Sequence, residues 1–285
     1  MQLKTVAVVG AGTMGNGIAQ VCASAGLSVT MQDIDEAQLE LGMETISTSL
    51  ERLVKKEKIE DSARQSALSN IQTSSSLEAL AEADIVIEAA TENEALKLDI
   101  FNQLDQVCKP AAILASNTSS ISLTRIAAAT TRAEQVVGMH FMNPVPIMTL
   151  VEIIRALQTS DSVYQQTHEL AEFIGKVPVE AKDSPGFVAN RILIPMINEA
   201  VYVLYEGIAN AEAIDDCMKL GMAHPMGPLT LADLIGLDTC LSVIKVLHEG
   251  FGDSKYRPCP LLQQMVDAGY LGRKSGRGFY RYDQA

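Results

Sequence analysis

His140 closes an apolar run, Val136-Val137-Gly138-Met139-His140. Glu152 stands inside a second one, Leu150-Val151-Glu152-Ile153-Ile154. An imidazole titrates near neutral pH and can take or give a proton in a reaction. A carboxylate in a buried strand is costly unless it is paired. A His partner would remove that cost, fix the imidazole tautomer and raise its basicity. The spacing leaves two arrangements open: a His140–Glu152 pair, or a satisfied core histidine beside an outward-facing glutamate. The other histidines offer less. His168 falls among Gln165, Gln166 and Glu169 and reads as a solvated helix face. His224, before Pro225, and His248, near a helix end, read as structural or surface residues.

A second constellation lies near the start. Val6-Ala7-Val8-Val9-Gly10-Ala11-Gly12-Thr13-Met14-Gly15 is a strand running into G-x-G-x-x-G, with a helical stretch after it. The string alone is weak, and a ligand-free glycine turn would also satisfy it. Its place between strand and helix adds weight. Gly10 permits a tight turn, Gly12 lets backbone approach a pyrophosphate, and Gly15 lets helix pack on strand. The helix start then offers N–H groups and a positive dipole end to phosphates. Asp33, at the end of the next strand, suits the ribose hydroxyls of an adenosine. Its charge would repel a 2′-phosphate, and the following Ile34-Asp35-Glu36 supplies no arginine. NAD is therefore expected in preference to NADP.

Hydride exchange with a nicotinamide needs a group that handles the hydroxyl proton. No H-E-x-x-H or Cys/His cluster suggests zinc. Tyr270-Leu-Gly-Arg-Lys274 matches Tyr-x-x-x-Lys, but with a glycine inside it and near the C-terminus, and reads as a chance match. His140 is left as the candidate, at a strand end where open α/β sheets bind ligands. The stretch after it, Phe141-Met142-Asn143-Pro144-Val145-Pro146, cannot be helix.

The elements that would position these residues follow from patterning. Strands are predicted at Thr5–Val9, Ser28–Gln32, Asp84–Ala89, Ala112–Ala115, Gln135–Met139 and Leu150–Ile154. Helices are predicted at Gly15–Ala25, Glu36–Lys58, Ala95–Val107 and Val163–Ile174. Short apolar strands without polar alternation suit a parallel sheet buried on both faces. Their alternation with helices predicts an α/β, Rossmann-type doubly wound sheet over residues 1–183. The pattern changes at Lys182-Asp183-Ser184-Pro185-Gly186, where Pro signals a helix start. Residues 184–285 are predicted all-helical, at Phe187–Tyr205, Ala211–Leu220, Leu229–Ile235, Thr239–His248 and Pro260–Ala268. Gly221, Gly236, Gly250 and Gly269 are predicted caps, and Pro195 a kink.

Composition agrees with a soluble protein that can build a core. Of 285 residues, 47% are hydrophobic and 20% charged, which argues against disorder and fibrous folds. The net charge of −13 disfavours non-specific binding to nucleic acid or anionic membrane. The five cysteines are scattered without C-x-x-C and read as reduced core thiols. No signal-peptide pattern and no apolar stretch of membrane-spanning length is present, so a cytoplasmic chain is expected.

Several motifs, in order, carry a resemblance. Gly10-Ala-Gly-Thr-Met-Gly15, Ser116-Asn117-Thr118-Ser119-Ser120, His140-Phe-Met-Asn-Pro-Val-Pro146 with Glu152, and Asp183-Ser-Pro-Gly-Phe-Val-Ala-Asn-Arg191 are similar to the L-3-hydroxyacyl-CoA dehydrogenase family. Gly221-Met-Ala-His-Pro-Met-Gly-Pro228 and Gly272-Arg-Lys-Ser-Gly-Arg-Gly-Phe-Tyr280 resemble it too. The resemblance spans the chain and implies NAD-dependent interconversion of (S)-3-hydroxybutyryl-CoA and acetoacetyl-CoA. It implies His140 as general base and acid, with Glu152 orienting it. Ser119 and Asn190 would hold the reacting oxygen or the thioester, with the substrate in an interdomain cleft. Glu92, Lys97 and Asn143 match positions near the nicotinamide ribose, and Lys274 joins them on the cofactor side. On their own residue types Glu92, Lys97 and Asn143 read as solvated loop or helix-end residues.

Coenzyme A needs positive charge, and Glu51-Arg52-Leu53-Val54-Lys55-Lys56-Glu57-Lys58 is the densest basic run. Arg52 and Lys56, four apart, would share a helix face and clamp the CoA phosphates, or else form an ordinary solvated face. The family also implies a homodimer formed through the helical domain. Two other expectations compete: a dehydrogenase of a free hydroxy acid such as L-gulonate, and a non-catalytic, crystallin-like NAD-binding protein.

Overall fold

The computed structural model describes residues 3–282. The chain divides into two compact units, one ending at Asp183 and one beginning at Ser184.

The first unit is built on eight strands: β1 (Thr5–Val9), β2 (Ser28–Gln32), β3 (Ile71–Ser74), β4 (Ile85–Glu88), β5 (Ile113–Ser116), β6 (Val136–Phe141), β7 (Leu150–Arg155) and β8 (Val177–Lys182). They form one sheet in the order β3-β2-β1-β4-β5-β6-β7-β8. The helices between them are α1 (Thr13–Ser24), α2 (Glu36–Lys55), α3 (Asp61–Ser69), α4 (Glu94–Val107), α5 (Leu123–Ala128) and α6 (Asp161–Phe173). From β1 the chain moves outward through β2 to β3, then returns to β4 on the other side of β1. This reversal makes a topological switch point beyond the carboxyl ends of β1 and β4. The predicted α/β, Rossmann-type fold is therefore present.

The central strands β4, β5 and β6 are buried at every position, and β1 at all but Thr5, because Val, Ile, Leu and Ala face helices on both sides. The two edge strands escaped sequence analysis for the opposite reason. β3 reads Ile-Gln-Thr-Ser, and β8 reads Val-Pro-Val-Glu-Ala-Lys with most positions exposed. Edge strands tolerate polar residues and proline, so they lack the buried apolar signature.

One departure from a parallel sheet shapes the site. β6 and β7 pair antiparallel, whereas β8 again runs parallel to β7. The link between β6 and β7 is residues 142–149. That is too short for the crossover helix that a parallel pair requires.

The second unit contains α7 (Ala189–Tyr205), α8 (Ala211–Asp216), α9 (Pro228–Ile235), α10 (Leu237–Phe251) and α11 (Pro260–Asp267). It is all-helical as predicted, and its core joins Ile197, Val201, Leu229, Leu237, Ile244 and Leu262. Pro228 and Pro260 open their helices at the first position, where the missing N–H costs nothing. Three local expectations need correction. α7 starts at Ala189 and not at Phe187, whose backbone turns to a φ of 48°. Gly250 lies inside α10, and the cap is Gly252 in left-handed conformation. A Cβ at Gly250 would come within 2.7 Å of Pro185, so packing explains that glycine. Cys217 is exposed, while Cys22, Cys108, Cys240 and Cys259 are buried thiols. No helix of the described residues is long and apolar enough to cross a membrane.

Candidate active site

The glycine loop lies at the switch point. Gly10 has a φ of 98°, and a Cβ there would come within 2.8 Å of the Ala89 carbonyl oxygen at the end of β4. A Cβ at Gly15 would fall 1.7 Å from the Gly10 carbonyl oxygen, so only glycine lets α1 close onto β1. At Gly12 the same test meets nothing within 4 Å, which leaves backbone open to an approaching ligand. No side chain caps α1 and no acid sits in its first turn, so the N–H groups of Thr13 and Met14 suit an anion.

Asp33 follows β2 and is half-buried. Its Oδ2 accepts from the Ala11 N–H at 2.8 Å, and its Oδ1 from the Asp35 N–H at 3.1 Å. The carboxylate thus anchors the glycine loop as well as ending the strand. A carboxylate has about four acceptor positions, so two remain for a ribose. Loop, helix start and aspartate together fit a dinucleotide.

The ends of β4 and β5 carry a buried polar network that sequence analysis missed. Glu88 is fully buried at the end of β4, and Lys97 on α4 is 1% exposed. Lys97 Nζ donates to Glu88 at 2.6 Å and to the Ala90 carbonyl at 3.2 Å. Ser116 Oγ donates to the other Glu88 oxygen, Oε2, at 2.6 Å, and the Ala90 N–H donates at 2.7 Å to Oε1, the oxygen that Lys97 holds. Lys97 is therefore not the solvated residue its type suggests. The missed signal was Glu88 itself, a carboxylate ending the apolar run Ile85-Val86-Ile87. Its burial demands a cation, and the helix that follows supplies one.

Glu92 extends this network outward. Its Oε1 accepts from Thr118 Oγ1 at 2.6 Å, from the Ser119 N–H at 3.0 Å and from Ser120 Oγ at 2.9 Å. Lys97 Nζ lies 3.5 Å from its other oxygen. Partial burial works against the charge, but Lys97 and these donors outweigh it and hold the carboxyl below its usual range. Glu92 and Ser119 thus belong to one hydrogen-bonded cage beyond β5.

Glu152 on β7 stands directly opposite His140 on β6. Their side chains meet on the same face, with His140 Nδ1 2.7 Å from Glu152 Oε2. Both are buried, His140 at 7% exposure and Glu152 at 1%. Next to them, the Phe141 N–H donates to Asn117 Oδ1 at 2.9 Å, tying the end of β6 to the end of β5. Of the two arrangements that spacing left open, the pair is the one formed. It can hold an imidazole in one tautomer and stabilise its protonated form.

The link between β6 and β7 carries Asn143, which is exposed. Asn143, Pro144 and Pro146 line a groove of about 570 Å³ together with Thr13 on α1 and Arg52 on α2. Arg52 is one of the lining residues of that groove. Lys56 does not line it and is the cap residue of α2 rather than a member of the helix, which ends at Lys55. The neighbouring Lys55 pairs with Glu51 at 2.8 Å on the exposed surface. In the second unit, Asn190 is half-buried in the first turn of α7. Lys274 is exposed and pairs with Asp238 of α10 at 2.6 Å.

Comparison with known proteins converges on one family. Residues 5–184 match the family described as 3-hydroxyacyl-CoA dehydrogenase, NAD binding domain. Residues 186–282 match 3-hydroxyacyl-CoA dehydrogenase, C-terminal domain. The chain is 56% identical over 284 residues to a probable 3-hydroxybutyryl-CoA dehydrogenase of Bacillus subtilis, covering 100% of this chain and 99% of the relative. It is also 56% identical to a 3-hydroxybutyryl-CoA dehydrogenase of Bradyrhizobium diazoefficiens, covering 98% and 96%. The crystal structure of (S)-3-hydroxybutyryl-CoA dehydrogenase from Ralstonia eutropha matches with a TM-score of 0.97, at 56% identity and 99% coverage of each chain. A dinucleotide loop in the first unit, followed by the second domain of the same family, places this chain among the NAD-dependent 3-hydroxyacyl-CoA dehydrogenases.

Proposed function

We propose that the protein interconverts (S)-3-hydroxybutyryl-CoA and acetoacetyl-CoA, with residues 1–183 binding NAD and residues 184–285 serving substrate binding and dimerisation. The observation that carries the chemistry is the buried His140–Glu152 pair, and the names of the full-length relatives support the substrate. In the oxidising direction, His140 Nε2 takes the proton of the C3 hydroxyl as the carbonyl forms. Glu152, on Nδ1, holds the tautomer and stabilises the imidazolium. In the reducing direction His140 returns the proton to the carbonyl oxygen. Bound NAD supplies the hydride acceptor for C3, and NADH the donor.

The remaining residues bind and orient. Gly10, Gly12, Thr13, Met14 and Gly15 face the pyrophosphate, and Asp33 the adenosine ribose. Glu92, Lys97, Asn143 and Lys274 serve the nicotinamide side. Ser119 and Asn190 hold the reacting oxygen or the thioester. Arg52 and Lys56 clamp the CoA phosphates; the place of Arg52 in the groove supports its part. In the helical unit, exposed Ile192, Ile208 and Leu220 support a homodimer surface.

The test is absorbance at 340 nm with acetoacetyl-CoA and NADH. Oxidation of NADH with the thioester, and none with free acetoacetate or L-gulonate, is expected. Turnover of a free acid in preference to the thioester would replace the substrate assignment. No turnover of any of the three would remove the enzymatic reading of the pair.

A further inference from the structure

Lys176 precedes β8 and is 8% exposed. Its ammonium donates to two backbone carbonyls of the link between β6 and β7: Val145 at 2.5 Å and Met148 at 2.7 Å. No carboxylate among the described residues forms an ion pair with it, and the ionisable group that interacts with it is the buried Cys22 thiol. Burial pushes the Cys22 thiol up to about 12, so that group stays neutral. Burial likewise pulls the Lys176 pKa down. A desolvated ammonium with carbonyls for company is a costly arrangement, and it needs a compensating use.

The link supplies that use. It contains Pro144 and Pro146, which have no N–H to donate. Within it, the Ile147 and Met148 N–H groups both donate to the Pro144 carbonyl, folding the segment on itself. The β7·β8 ladder reaches only as far as the Val177 N–H donating to the Thr149 carbonyl at 2.8 Å. Lys176 carries the tie beyond the ladder to Met148 and Val145. From the other side, Val145 is buried against α1, where a Cβ at Gly17 would come within 2.9 Å of it. The link is held between α1 and one ammonium, and its residues 143–147 line the same groove as Arg52.

We propose that Lys176 is a positioning residue for the substrate: its ammonium sets the Pro144–Ile147 wall against which the CoA thioester binds. The proposal rests on the function given above for the choice of ligand. It acts through backbone, at a distance from the His140–Glu152 chemistry, so it separates binding from turnover.

The experiment uses the full-length protein and Lys176→Met, which keeps the stem and removes the three donors. The KM for acetoacetyl-CoA should rise about tenfold or more while kcat stays within about threefold. Amide exchange at Ile147 and Met148, followed without any ligand, should quicken by about tenfold or more in the variant. An unchanged KM, or a fall in kcat with KM intact, would overturn the proposal, as would unchanged exchange. If Lys176→Met does not fold, the wild-type protein still decides: the Lys176 ammonium protons, followed by NMR, should exchange with solvent at least about tenfold more slowly than those of exposed lysines, and exchange at the exposed-lysine rate removes the clamp. Should wild type fail to turn over acetoacetyl-CoA, the substrate assignment falls, and the exchange measurement still judges Lys176 alone.

Discussion

Glu152 and His140 face each other on neighbouring strands that run in opposite directions, Oε2 2.7 Å from Nδ1. The short return from β6 to β7 is what creates this opposition. A parallel neighbour would have needed a helix between the two and a different register. Glu152→Gln replaces the acceptor with a group that can present an N–H to Nδ1. That favours the wrong tautomer and removes the counter-charge for the imidazolium. The kcat for acetoacetyl-CoA reduction should fall about 10²–10⁴-fold, with the Kd for NADH nearly unchanged, as measured by steady-state rates and fluorescence titration. Equal loss of NADH binding would mean that the pair is structural.

Glu88 and Lys97 form a buried ion pair, so removing one partner leaves the other without a counter-charge. Lys97→Met should destabilise the protein by about 3–5 kcal/mol. The double variant Glu88→Gln/Lys97→Met should recover part of that loss, because it buries no lone charge. Denaturant unfolding of the two singles and the double measures the coupling. Strict additivity would show that the pair does not act as one unit.

Asp84 gives a pH dependence of known sign. Its carboxylate pairs with Lys109 at 2.6 Å and accepts from the Lys4 and Thr5 N–H groups. Partial burial raises its pKa, but these donors prevail and hold it at about 2, below the ordinary 3.8. A lowered folded-state pKa stabilises fully above the unfolded value and is lost as pH falls through the folded one. Asp84→Asn should therefore cost on the order of 1 kcal/mol at neutral pH, after allowing for solvent screening. The gap between wild type and variant should narrow below about pH 4 and close near pH 2. Melting temperatures across pH 2–7 read it out directly, and a constant gap would contradict the assignment.

Arg52 lines the groove from α2, and Asn143 lines it from the link between β6 and β7. Arg52→Ala should raise the KM for acetoacetyl-CoA by about tenfold at low ionic strength and by less at high salt. kcat should be unaffected. An effect independent of salt would point to lost packing rather than lost charge, and no effect would remove Arg52 from the binding surface.

The sequence was most informative where burial is complete. β1, β4, β5 and β6 stand out because both faces are covered, which leaves short runs dominated by aliphatic residues. The glycine loop was legible because steric limits at Gly10 and Gly15 exclude every other residue. β3 and β8 were not, since an edge needs no apolar pattern. The direction of β7 was open to inference from the eight-residue span 142–149, but strand length and composition are the same in either direction. Lys97 shows the limit most plainly. A lysine four positions into a helix carries no mark of burial, and its place is fixed by Glu88, which lies on another element and is distant from it in space until the sheet forms. Lys56 is legible only in part: it caps α2, its N–H donating to the Arg52 carbonyl one turn back, and it does not line the groove that Arg52 lines.

The cage around Glu92 has a thermodynamic consequence. One carboxylate oxygen is shared by Thr118, Ser119 and Ser120, and its twin faces Lys97. Under the proposed assignments, Glu92 and Lys97 attend the cofactor and Ser119 the substrate. A ligand that draws Ser119 toward itself must then take a donor from Glu92, and a ligand that claims Glu92 must release Ser119. Whatever free energy links those two events is the same in both directions, because linkage is reciprocal. The two ligands of this enzyme are therefore not independent tenants: the affinity for each is written partly in the hydrogen bonds of the other.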